Sequence, residues 1–345
     1  MNESTTVLHP VLKGPSDGKE ILMPIILSEK DLAPLYRDPS AMDGLLDRID
    51  ESLRAFNSGK VAGQVRLETS LADAQKKFRI TTSAVPQAGQ GMRISALFRG
   101  AKDAYFILLF DGERGDLLAL VAGTALNVWR TGAPAGVASR YLAPKGADVL
   151  GLIGSGRQAR GQLLAIRRAL PALKKVRVFS PTEAHRRSFA KEMSAWLDLE
   201  VATVDEPRAA VENASIVSLA TSSRATVIEP SWVTPGALVV SITSGQLPQD
   251  TVKNSRVIVS WKEEVLAGEA PRQPYASMIA DGTWSADHIA GELGEVILGK
   301  IPARQKESET VVFESVGMSL WDSTATAWAY RWALKQKVGT PFSLA

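Results

Sequence analysis

The chain has 345 residues, of which 45% are hydrophobic and 22% charged, a balance typical of folded globular proteins rather than disordered ones. Lys and Arg number 40 and Asp and Glu 37, so the net charge of +3 gives no indication of nucleic-acid binding. The absence of cysteine excludes disulfides, iron–sulfur clusters and thiolate zinc sites. With only three histidines, no metal site is predicted.

The N-terminal residues do not resemble a signal or transit peptide, because no apolar stretch follows them. The longest compact apolar run, residues 105–110, is far too short to span a bilayer. We therefore predict a cytoplasmic protein with neither membrane nor nucleic-acid partners. Residues 1–20 are rich in Pro, Gly, Ser and Thr and are predicted to form a flexible arm.

Residues 21–145 predict a unit of mixed helices and strands. A short apolar strand comes first, followed by a helix whose apolar residues recur every three or four positions and which ends at Asn57. Alternating apolar and polar residues then predict a run of antiparallel strands over 61–122. A further helix is expected over 127–143, with Pro134 near its first turn, where a missing N–H costs little.

After residue 145 the pattern changes to strands that alternate with helices, which predicts an α/β domain with a doubly wound parallel sheet. The change places a domain boundary near residue 145. A long C-terminal helix is expected over 319–337 and is predicted to pack back onto the N-terminal half.

A glycine-rich turn, G-x-G-x-x-A at 154–159, follows the first apolar strand of this second region and opens a helix. Gly154 allows a tight turn and Gly156 lets the backbone approach a pyrophosphate, while the helix N-terminus offers N–H donors to the anion. Such turns also occur without a ligand, but the strand before and the helix after favour a dinucleotide. The residues predicted to bind it are Gly154, Ser155, Gly156, Arg157 and Gln158.

The end of the next strand bears on the choice between NAD and NADP. NAD-binding domains usually carry an acid there, whereas this chain has Ser180 and Thr182, with Arg186 and Arg187 beyond them. These four residues would suit the 2′-phosphate of NADP. The alternative is that both arginines are solvated residues of the next helix, and Glu183 lies close enough to complicate the argument. NADP is therefore favoured and NAD is left open.

An Arg-Thr pair, Arg130-Thr131, precedes this region at what is predicted to be a helix start. Arg130 could bind a carboxylate through two N–H donors, and Thr131 with the helix N-terminus would favour an anion. The alternative is a capped helix whose arginine lies on the surface.

The segment that contains both motifs, residues 123–162, resembles the ornithine cyclodeaminase/μ-crystallin family of NAD(P)-dependent enzymes. Further similarity lies at 220–225, 291–304 and 313–325. The resemblance implies a Rossmann dinucleotide-binding domain over 146–318. It also implies an α+β domain for substrate binding and dimerisation, made of 21–145 and 319–345, in a homodimer.

The activity that this resemblance implies is hydride transfer between a nicotinamide and a carbon that bears an amine or imine next to a carboxylate. The enzyme would be an imine reductase or an amino acid dehydrogenase. Two alternatives stay open: a cofactor-bound protein that binds small molecules with little catalysis, and a lyase of the ornithine cyclodeaminase type. The cofactor contacts implied by the resemblance are Thr131, Ala220, Thr221, Ser222, Val316 and Gly317.

The substrate carboxylate is expected, by the same resemblance, to bind Arg66, Arg93 and Arg130. Arg93 replaces a family lysine, and because arginine keeps its charge it is a poor general acid. Gly245 stands where cyclodeaminases have an aspartate, so both changes argue against cyclodeamination. Three cations would suit an anionic substrate, including one with more than one carboxylate. The alternative is that Arg66 and Arg93 are ordinary surface residues on strands.

Arg93 and Asp322 are the candidate catalytic residues. Asp322 faces the cofactor or, as the favoured interpretation, caps the final helix by accepting backbone N–H groups. His288 is a further candidate proton carrier, although a lone histidine near a helix start is more often structural.

Overall fold

The computed structural model describes residues 11–13, 20–63, 67–70, 76–85, 89–98, 104–267 and 272–343. The strands are β1 (Val11–Lys13), β2 (Glu20–Leu22), β3 (Ile25–Leu27), β4 (Ala62–Gly63), β5 (Leu67–Ser70), β6 (Lys76–Val85), β7 (Gly89–Phe98), β8 (Ala104–Phe110), β9 (Leu117–Ala122), β10 (Val149–Ile153), β11 (Lys175–Phe179), β12 (Glu200–Thr203), β13 (Ile216–Leu219), β14 (Leu238–Ser241), β15 (Arg256–Val259), β16 (Ile289–Glu292), β17 (Val311–Glu314) and β18 (Thr340–Pro341). The helices are α1 (Glu29–Arg37), α2 (Ala41–Asn57), α3 (Thr124–Leu142), α4 (Arg157–Ala169), α5 (Glu183–Leu197), α6 (Pro207–Val211), α7 (Gln249–Lys253), α8 (Lys262–Ala267), α9 (Tyr275–Ala280), α10 (Leu293–Ile297) and α11 (Ser319–Gln336). None of these helices is both long and apolar enough to cross a membrane.

The predicted doubly wound sheet is confirmed as eight parallel strands in the order β12-β11-β10-β13-β14-β17-β15-β16. Strand β10 has β11 on one side and β13 on the other, so the strand order reverses beside it. Ligands of such sheets bind at this reversal, outside the carboxyl ends of the strands. Strands β16 and β17 were not predicted, and β17 inserts between β14 and β15.

The second sheet has the order β18-β3-β9-β8-β7-β6-β4, and β5 also pairs with β6. The predicted antiparallel run is confirmed for β4 to β9, whereas β3 joins β9 in parallel. Within the region predicted to be a flexible arm, residues 11–13 form β1, which pairs with β2 in an antiparallel ladder.

Helix α11 packs back onto α2 and onto one face of β6 and β7, as predicted. The approach is close at Gly91 of β7, where an added Cβ would lie 2.1 Å from Ser323 Oγ. The hydroxyls of Ser83 in β6 and Ser323 in α11 are also hydrogen-bonded at 2.6 Å. The C-terminal helix therefore brings its first turns directly against the second sheet.

Helix α3 connects the two sheets, and it begins earlier than predicted. The carboxylate of Glu29 accepts the N–H groups of Thr124 and Ala125, at 2.7 and 3.2 Å from Oε1, and so satisfies the helix start from a distant segment. The prediction that Pro134 lies near the first turn is therefore wrong, since Pro134 is inside the helix.

The crossing of α3 and α4 is unusually close. At Gly132 of α3, an added Cβ would lie 2.2 Å from the Gly161 carbonyl oxygen of α4. The Gln162 amide of α4 also donates to the Thr131 carbonyl at 3.0 Å. This packing fixes the middle of α3 beside the helix that follows the glycine-rich turn.

Candidate functional site

The glycine-rich turn has the backbone geometry that an anion-binding turn requires. Gly154 has φ +119°, and a Cβ there would lie 2.4 Å from the Ala220 carbonyl oxygen. At Gly156 an added Cβ would meet no atom within 4 Å, so the main chain is open on that side. Gly156 is the N-cap of α4 and gives no side-chain cap, which leaves first-turn N–H groups available to an anion.

A cavity of about 1010 Å³ opens at the carboxyl edge of the parallel sheet, and we call it the carboxyl-edge cavity. The residues that line it are Ile153, Gly154, Ser155, Gly156, Arg157, Gln158, Phe179, Ser180, Pro181, Thr182, His185, Pro207, Ala220, Thr221, Ser222, Ser223, Thr226, Val227, Ile228, Glu229, Trp232, Ile242 and Thr243. Ten residues predicted from the sequence as cofactor contacts are among them. Gln158 Oε1 is buried and accepts no hydrogen bond within the described part of the chain, as expected of a group that meets a ligand.

The prediction missed the cavity wall at Ile228, Glu229 and Trp232. These residues come from the loop and 3-10 turn after β13. Strand β13 lies next to β10, so the loop at its carboxyl end is the expected source of residues that line the cavity. No residue type in that loop identifies it as a binding segment.

Arg186 and Arg187 were predicted to bind the cofactor, but neither side chain lines the carboxyl-edge cavity. Arg186 is buried, where it pairs with Asp205 and donates to the Ser180 carbonyl at 3.2 Å. Arg187 is exposed and pairs with Glu183 one helical turn away, at 2.6 Å. At the strand tip itself, the Ser155 and Ser180 hydroxyls are hydrogen-bonded at 2.8 Å.

Three more expected cofactor contacts also lie away from this cavity. Val316 is bonded to Ser260, whose Oγ accepts the Val316 N–H at 3.0 Å and donates to its carbonyl at 3.1 Å. Gly317 follows it and does not line the cavity either. Thr131 lies in the interior of α3, so the predicted helix start at the Arg-Thr pair is wrong.

Three charged side chains from distant segments meet where β7, α3 and α11 pack together, and we call them the Arg–Asp–Arg cluster. Asp322 Oδ1 lies 3.2 Å from Arg93 Nη1 and 3.1 Å from Arg130 Nε. The three residues are 5%, 8% and 9% exposed, respectively. Arg93 and Arg130 are therefore not the surface residues of the alternative interpretation.

The favoured interpretation of Asp322 as a helix cap is wrong. The N-cap of α11 is Met318 and makes no side-chain cap, while Asp322 lies within the first turns of the helix. Its carboxylate faces the two arginines and also accepts from the Thr81 hydroxyl at 3.4 Å. The two cations bind this carboxylate more strongly than a helix end would.

The surroundings of the Arg–Asp–Arg cluster are polar on the sheet side. The Arg93 guanidinium lies over the Tyr105 ring, 4.7 Å from its centroid. Ser95 Oγ is buried on the same face of β7 and has no hydrogen-bond partner in the described part of the chain. Arg130 also donates to Asn127 one turn earlier in α3, a contact that its spacing of three could have indicated. Arg66 lies outside the described residues.

The loop after β14 has no room for the cyclodeaminase aspartate. Gly245 has φ +87°, and a Cβ there would lie 2.3 Å from the Arg224 carbonyl oxygen. Asp250, the nearest acid along the chain, is exposed in α7.

His288 is exposed in a 3-10 turn, where its Nδ1 accepts the Ser285 N–H at 3.1 Å and its ring stacks on Trp284. This arrangement fits the structural role. Among the described residues no group of three or more His, Asp or Glu side chains could hold a metal ion.

A buried ion pair that the sequence did not reveal lies at the end of β17. Burial raises the pKa of Glu314, and the positive charge of Arg272, whose Nη2 lies 2.9 Å from Glu314 Oε1, opposes that rise. Arg272 also donates to the Ser315 carbonyl at 3.0 Å. The pair holds the segment before α9 against the carboxyl edge of the sheet.

Comparison with known proteins agrees with this architecture. A family model described as the ornithine cyclodeaminase/mu-crystallin family matches residues 37–337. The chain belongs to this family. The resemblance seen in the sequence is thereby confirmed.

Several relatives are named as reductases or dehydrogenases of imines or amino acids. The Δ1-pyrroline-2-carboxylate reductase of Bacillus cereus is 32% identical over 239 residues, which cover 68% of this chain and 72% of that protein. The alanine dehydrogenase of Archaeoglobus fulgidus is 25% identical over 329 residues, 92% of this chain and 97% of that one. The Thermococcus litoralis Δ1-pyrroline-2-carboxylate reductase, solved with NADH and L-proline, superposes with a TM-score of 0.84 at 28% identity, covering 92% of this chain and all of the other.

Proposed function

We propose that the protein is an NAD(P)-dependent oxidoreductase that interconverts an imine and an α-amino acid. The observation that carries the proposal is the position of α3. This helix contributes Arg130 to the Arg–Asp–Arg cluster and packs through Gly132 against α4, which begins at the glycine-rich turn. A dinucleotide site and a carboxylate site would therefore share one rigid pair of helices, as hydride transfer requires.

The residues of the glycine-rich turn fit a dinucleotide. Gly154 allows the tight turn beside the Ala220 carbonyl, and Gly156 leaves the main chain uncovered. Gln158 Oε1 is buried with no hydrogen-bond partner in the described part of the chain. Ser155 and Arg157 complete the turn beside the pyrophosphate position. When bound, the nicotinamide supplies or accepts the hydride.

NADP is our preferred cofactor, and NAD is the second candidate. Support comes from the strand tip, where Ser180 and Thr182 line the carboxyl-edge cavity together with Arg157 and His185. An acid at Ser180 would repel a 2′-phosphate, and none is present. Arg186 and Arg187 no longer support this preference, because both are engaged away from the cavity.

Arg93 and Arg130 would bind the substrate carboxylate next to the reacting carbon. A guanidinium has five N–H donors, so Asp322 alone does not saturate either arginine. Arg93 keeps its charge and would hold the carboxylate rather than move protons. Arg66 stays a predicted third contact.

The two alternative functions are a small-molecule binding protein and a cyclodeaminase, and different residues bear on each. A binding protein with little catalysis is favoured by the same Arg93, since the family lysine is absent. A cyclodeaminase is disfavoured by Gly245, whose surroundings leave no space for a side chain.

We also propose the division of the chain into 146–318 for the dinucleotide and 21–145 with 319–345 for the substrate. Each of the two large sheets falls within one of these parts. The use of a diffusible dinucleotide favours the cytoplasm as the location.

A homodimer is proposed from the outer face of the second sheet. Leu67, Ile80 and Phe106 are 64%, 40% and 37% exposed. They lie in one row across the sheet, because Leu67 of β5 pairs with Ile80 of β6, Ile80 with Ile94 of β7, and Ile94 with Phe106 of β8. Contiguous exposed apolar residues are a common feature of protein–protein contact sites. Light scattering should give twice the chain mass for the wild type, and Ile80→Lys should give the single mass.

The function is tested by absorbance at 340 nm with NADPH and Δ1-pyrroline-2-carboxylate, then with keto acids plus amines. A reductase consumes NADPH in proportion to substrate. No net change at 340 nm with turnover of ornithine would identify a lyase. A rise in melting temperature with cofactor, and no turnover of any substrate in either direction, would identify a binding protein.

A further inference from the structure

The wall of the carboxyl-edge cavity contains a histidine. Among the described residues that line this cavity, the ionisable ones are Arg157, Glu229 and His185. Arginine and glutamate ordinarily keep their charge near neutral pH, whereas histidine is the residue type that ordinarily gains or loses a proton between about pH 5 and 8. The cavity wall can therefore change its charge through His185.

His185 lies beside the strand end at which dinucleotide-binding sheets distinguish NAD from NADP. It is the third residue of α5, the helix that follows β11, and it is exposed. Ser180 and Thr182, between the strand and the helix, line the same cavity. The 2′-phosphate of a dinucleotide is expected at this strand end. His185 is therefore placed to meet that phosphate.

The glycine-rich turn and the end of β11 are joined directly. The Gly154 N–H donates to the Phe179 carbonyl at 2.8 Å, and the Ser155 and Ser180 hydroxyls are hydrogen-bonded at 2.8 Å. A nucleotide whose pyrophosphate lies on the turn therefore has its ribose within reach of the strand end that precedes His185.

Helix α5 is fixed beside the turn by Arg160 of α4. Its Nη1 donates to the Ser155 carbonyl at 2.9 Å, and its Nε donates to Glu192 Oε1 of α5, also at 2.9 Å. The same guanidinium lies over the Phe189 ring, 5.2 Å from its centroid, one helical turn after His185. These contacts hold the first turns of α5, which carry His185, next to the glycine-rich turn.

The other charged groups around His185 are of types that ordinarily keep one charge near neutral pH. Within α5, Arg187 pairs with Glu183, and Arg186 pairs with Asp205 in the loop after β12. Further charged groups on the neighbouring elements are Arg157, Arg160, Glu206 and Glu229. Protonation of His185 adds one positive charge to the field of these groups, whatever its starting value.

We propose that His185 binds the 2′-phosphate of NADP and makes the preference for NADP over NAD depend on pH. This inference rests on the proposed dinucleotide site, but it does not depend on the substrate or on the reaction. NAD and NADP differ only in the 2′-phosphate, so a cation at that position stabilises one of them alone. An imidazolium forms a charge-assisted hydrogen bond with a phosphate, which is stronger than the bond from a neutral imidazole.

The phosphate itself sets the lower end of the useful pH range. A phosphate monoester takes up a proton with a pKa of about 6 and then carries less negative charge. At lower pH this loss opposes the gain from the imidazolium. The affinity for NADP relative to NAD is therefore expected to rise as the pH falls from about 8.5 to about 6.5.

The test measures the dissociation constants of oxidised NAD and NADP by calorimetry at both pH values and at constant ionic strength. For the wild type we expect the NAD constant divided by the NADP constant to rise about fivefold at the lower pH, less than one full charge-assisted hydrogen bond would give. In His185→Gln, which keeps a polar side chain without a titrating group, this ratio should change less than about twofold.

Two further variants test whether charge is the cause. His185→Lys fixes a positive charge at both pH values, so its ratio should be high at both and change less than about twofold. His288→Gln is the matched control, because His288 is also exposed but is bonded to Ser285 in a 3-10 turn away from the cavity. It should keep the rise of the wild type. NAD affinity reports any damage to the fold or to the turn, since NAD lacks the 2′-phosphate.

The proposal is overturned if the wild-type ratio does not rise at the lower pH, or if His185→Gln shows the same rise as the wild type. Loss of the rise in His288→Gln would also overturn it, because the pH dependence would then come from elsewhere. Binding of neither dinucleotide would overturn the proposed function together with this inference. Binding of both with a ratio independent of pH would overturn this inference alone.

Discussion

Main-chain atoms of the glycine-rich turn form part of the carboxyl-edge cavity, whereas charged side chains form the Arg–Asp–Arg cluster. At the turn, Gly154 and Gly156 matter for the side chain that they lack. In the cluster, Arg93, Arg130 and Asp322 matter for their charges, because Asp322 Oδ1 lies 3.2 Å from Arg93 Nη1 and 3.1 Å from Arg130 Nε. The first region is therefore sensitive to added volume, and the second to changes in charge.

The largest effect is expected from volume added to the turn. Gly156→Val should lower dinucleotide affinity about 100-fold, roughly the loss of two charge-assisted hydrogen bonds to the pyrophosphate. Because a Cβ at this position meets no protein atom, the melting temperature without cofactor should stay close to that of the wild type. Calorimetry and thermal denaturation measure the two quantities.

Gly154→Val provides the contrast at the same turn. Its Cβ would clash with the Ala220 carbonyl oxygen at a positive φ, so this variant should lose fold stability as well as affinity. Unchanged cofactor affinity in Gly156→Val would place the dinucleotide elsewhere.

The second effect tests the shape of a cation rather than its charge. Arg93→Lys keeps the positive charge but loses the planar fork and the contact with the Tyr105 ring. We expect KM for the substrate to rise about tenfold with kcat little changed, the loss of one charge-assisted hydrogen bond. Steady-state kinetics measures both, and Arg208→Lys, on the surface at Glu212, is the matched control.

A rise in kcat for Arg93→Lys would carry the opposite meaning. It would indicate that this position serves proton transfer in the family and that this chain has lost it. No change in either constant would place Arg93 outside the site.

The third effect concerns cofactor choice at the strand tip. Ser180→Asp adds a carboxylate beside the predicted 2′-phosphate position and should weaken NADP about tenfold while NAD binding holds or improves. Arg187→Ala should change either affinity less than twofold, because Arg187 is exposed and paired with Glu183. Equal binding of NAD and NADP by the wild type would contradict the preference.

The smallest effect is a pH dependence from the buried pair at the carboxyl edge. Burial raises the pKa of Glu314 in the folded chain above its ordinary value of 4.5. The stability that this contributes is present below pH 4.5 and is lost as pH rises through the raised pKa. Glu314→Gln resembles the protonated carboxyl, so its stability should be close to that of the wild type below pH 4.5, and its melting temperature should fall less above that pH.

Glu200→Gln is the control for that profile, since Glu200 pairs with Lys175 in the solvent. The same slope in wild type and Glu314→Gln would assign the pH dependence to other groups.

The two regions also differ in how far the sequence predicts them. Strand β10, the turn and α4 are contiguous, so hydrophobic pattern and glycine spacing locate the turn directly. The Arg–Asp–Arg cluster joins residues as much as 229 positions apart, and only the family resemblance brought Arg93 and Arg130 together. No local pattern shows that Asp322 faces them rather than a helix end.

The remaining errors have the same physical origin. Helix α3 starts early because Glu29, ninety-five residues before Thr124, caps it. Arg186 turns inward because Asp205 and the Ser180 carbonyl receive it. Each outcome depends on a tertiary partner that periodicity and residue type do not encode.

The central claim, direct hydride transfer to a bound imine, is tested by mass spectrometry with NADPH deuterated at nicotinamide C4. The protein is incubated with the separate C4 epimers and Δ1-pyrroline-2-carboxylate, and the product proline is analysed. The account predicts one deuterium in proline from one of the two epimers. Proline formed without deuterium from either epimer, or no reduced product from this or any other imine tried, would contradict it.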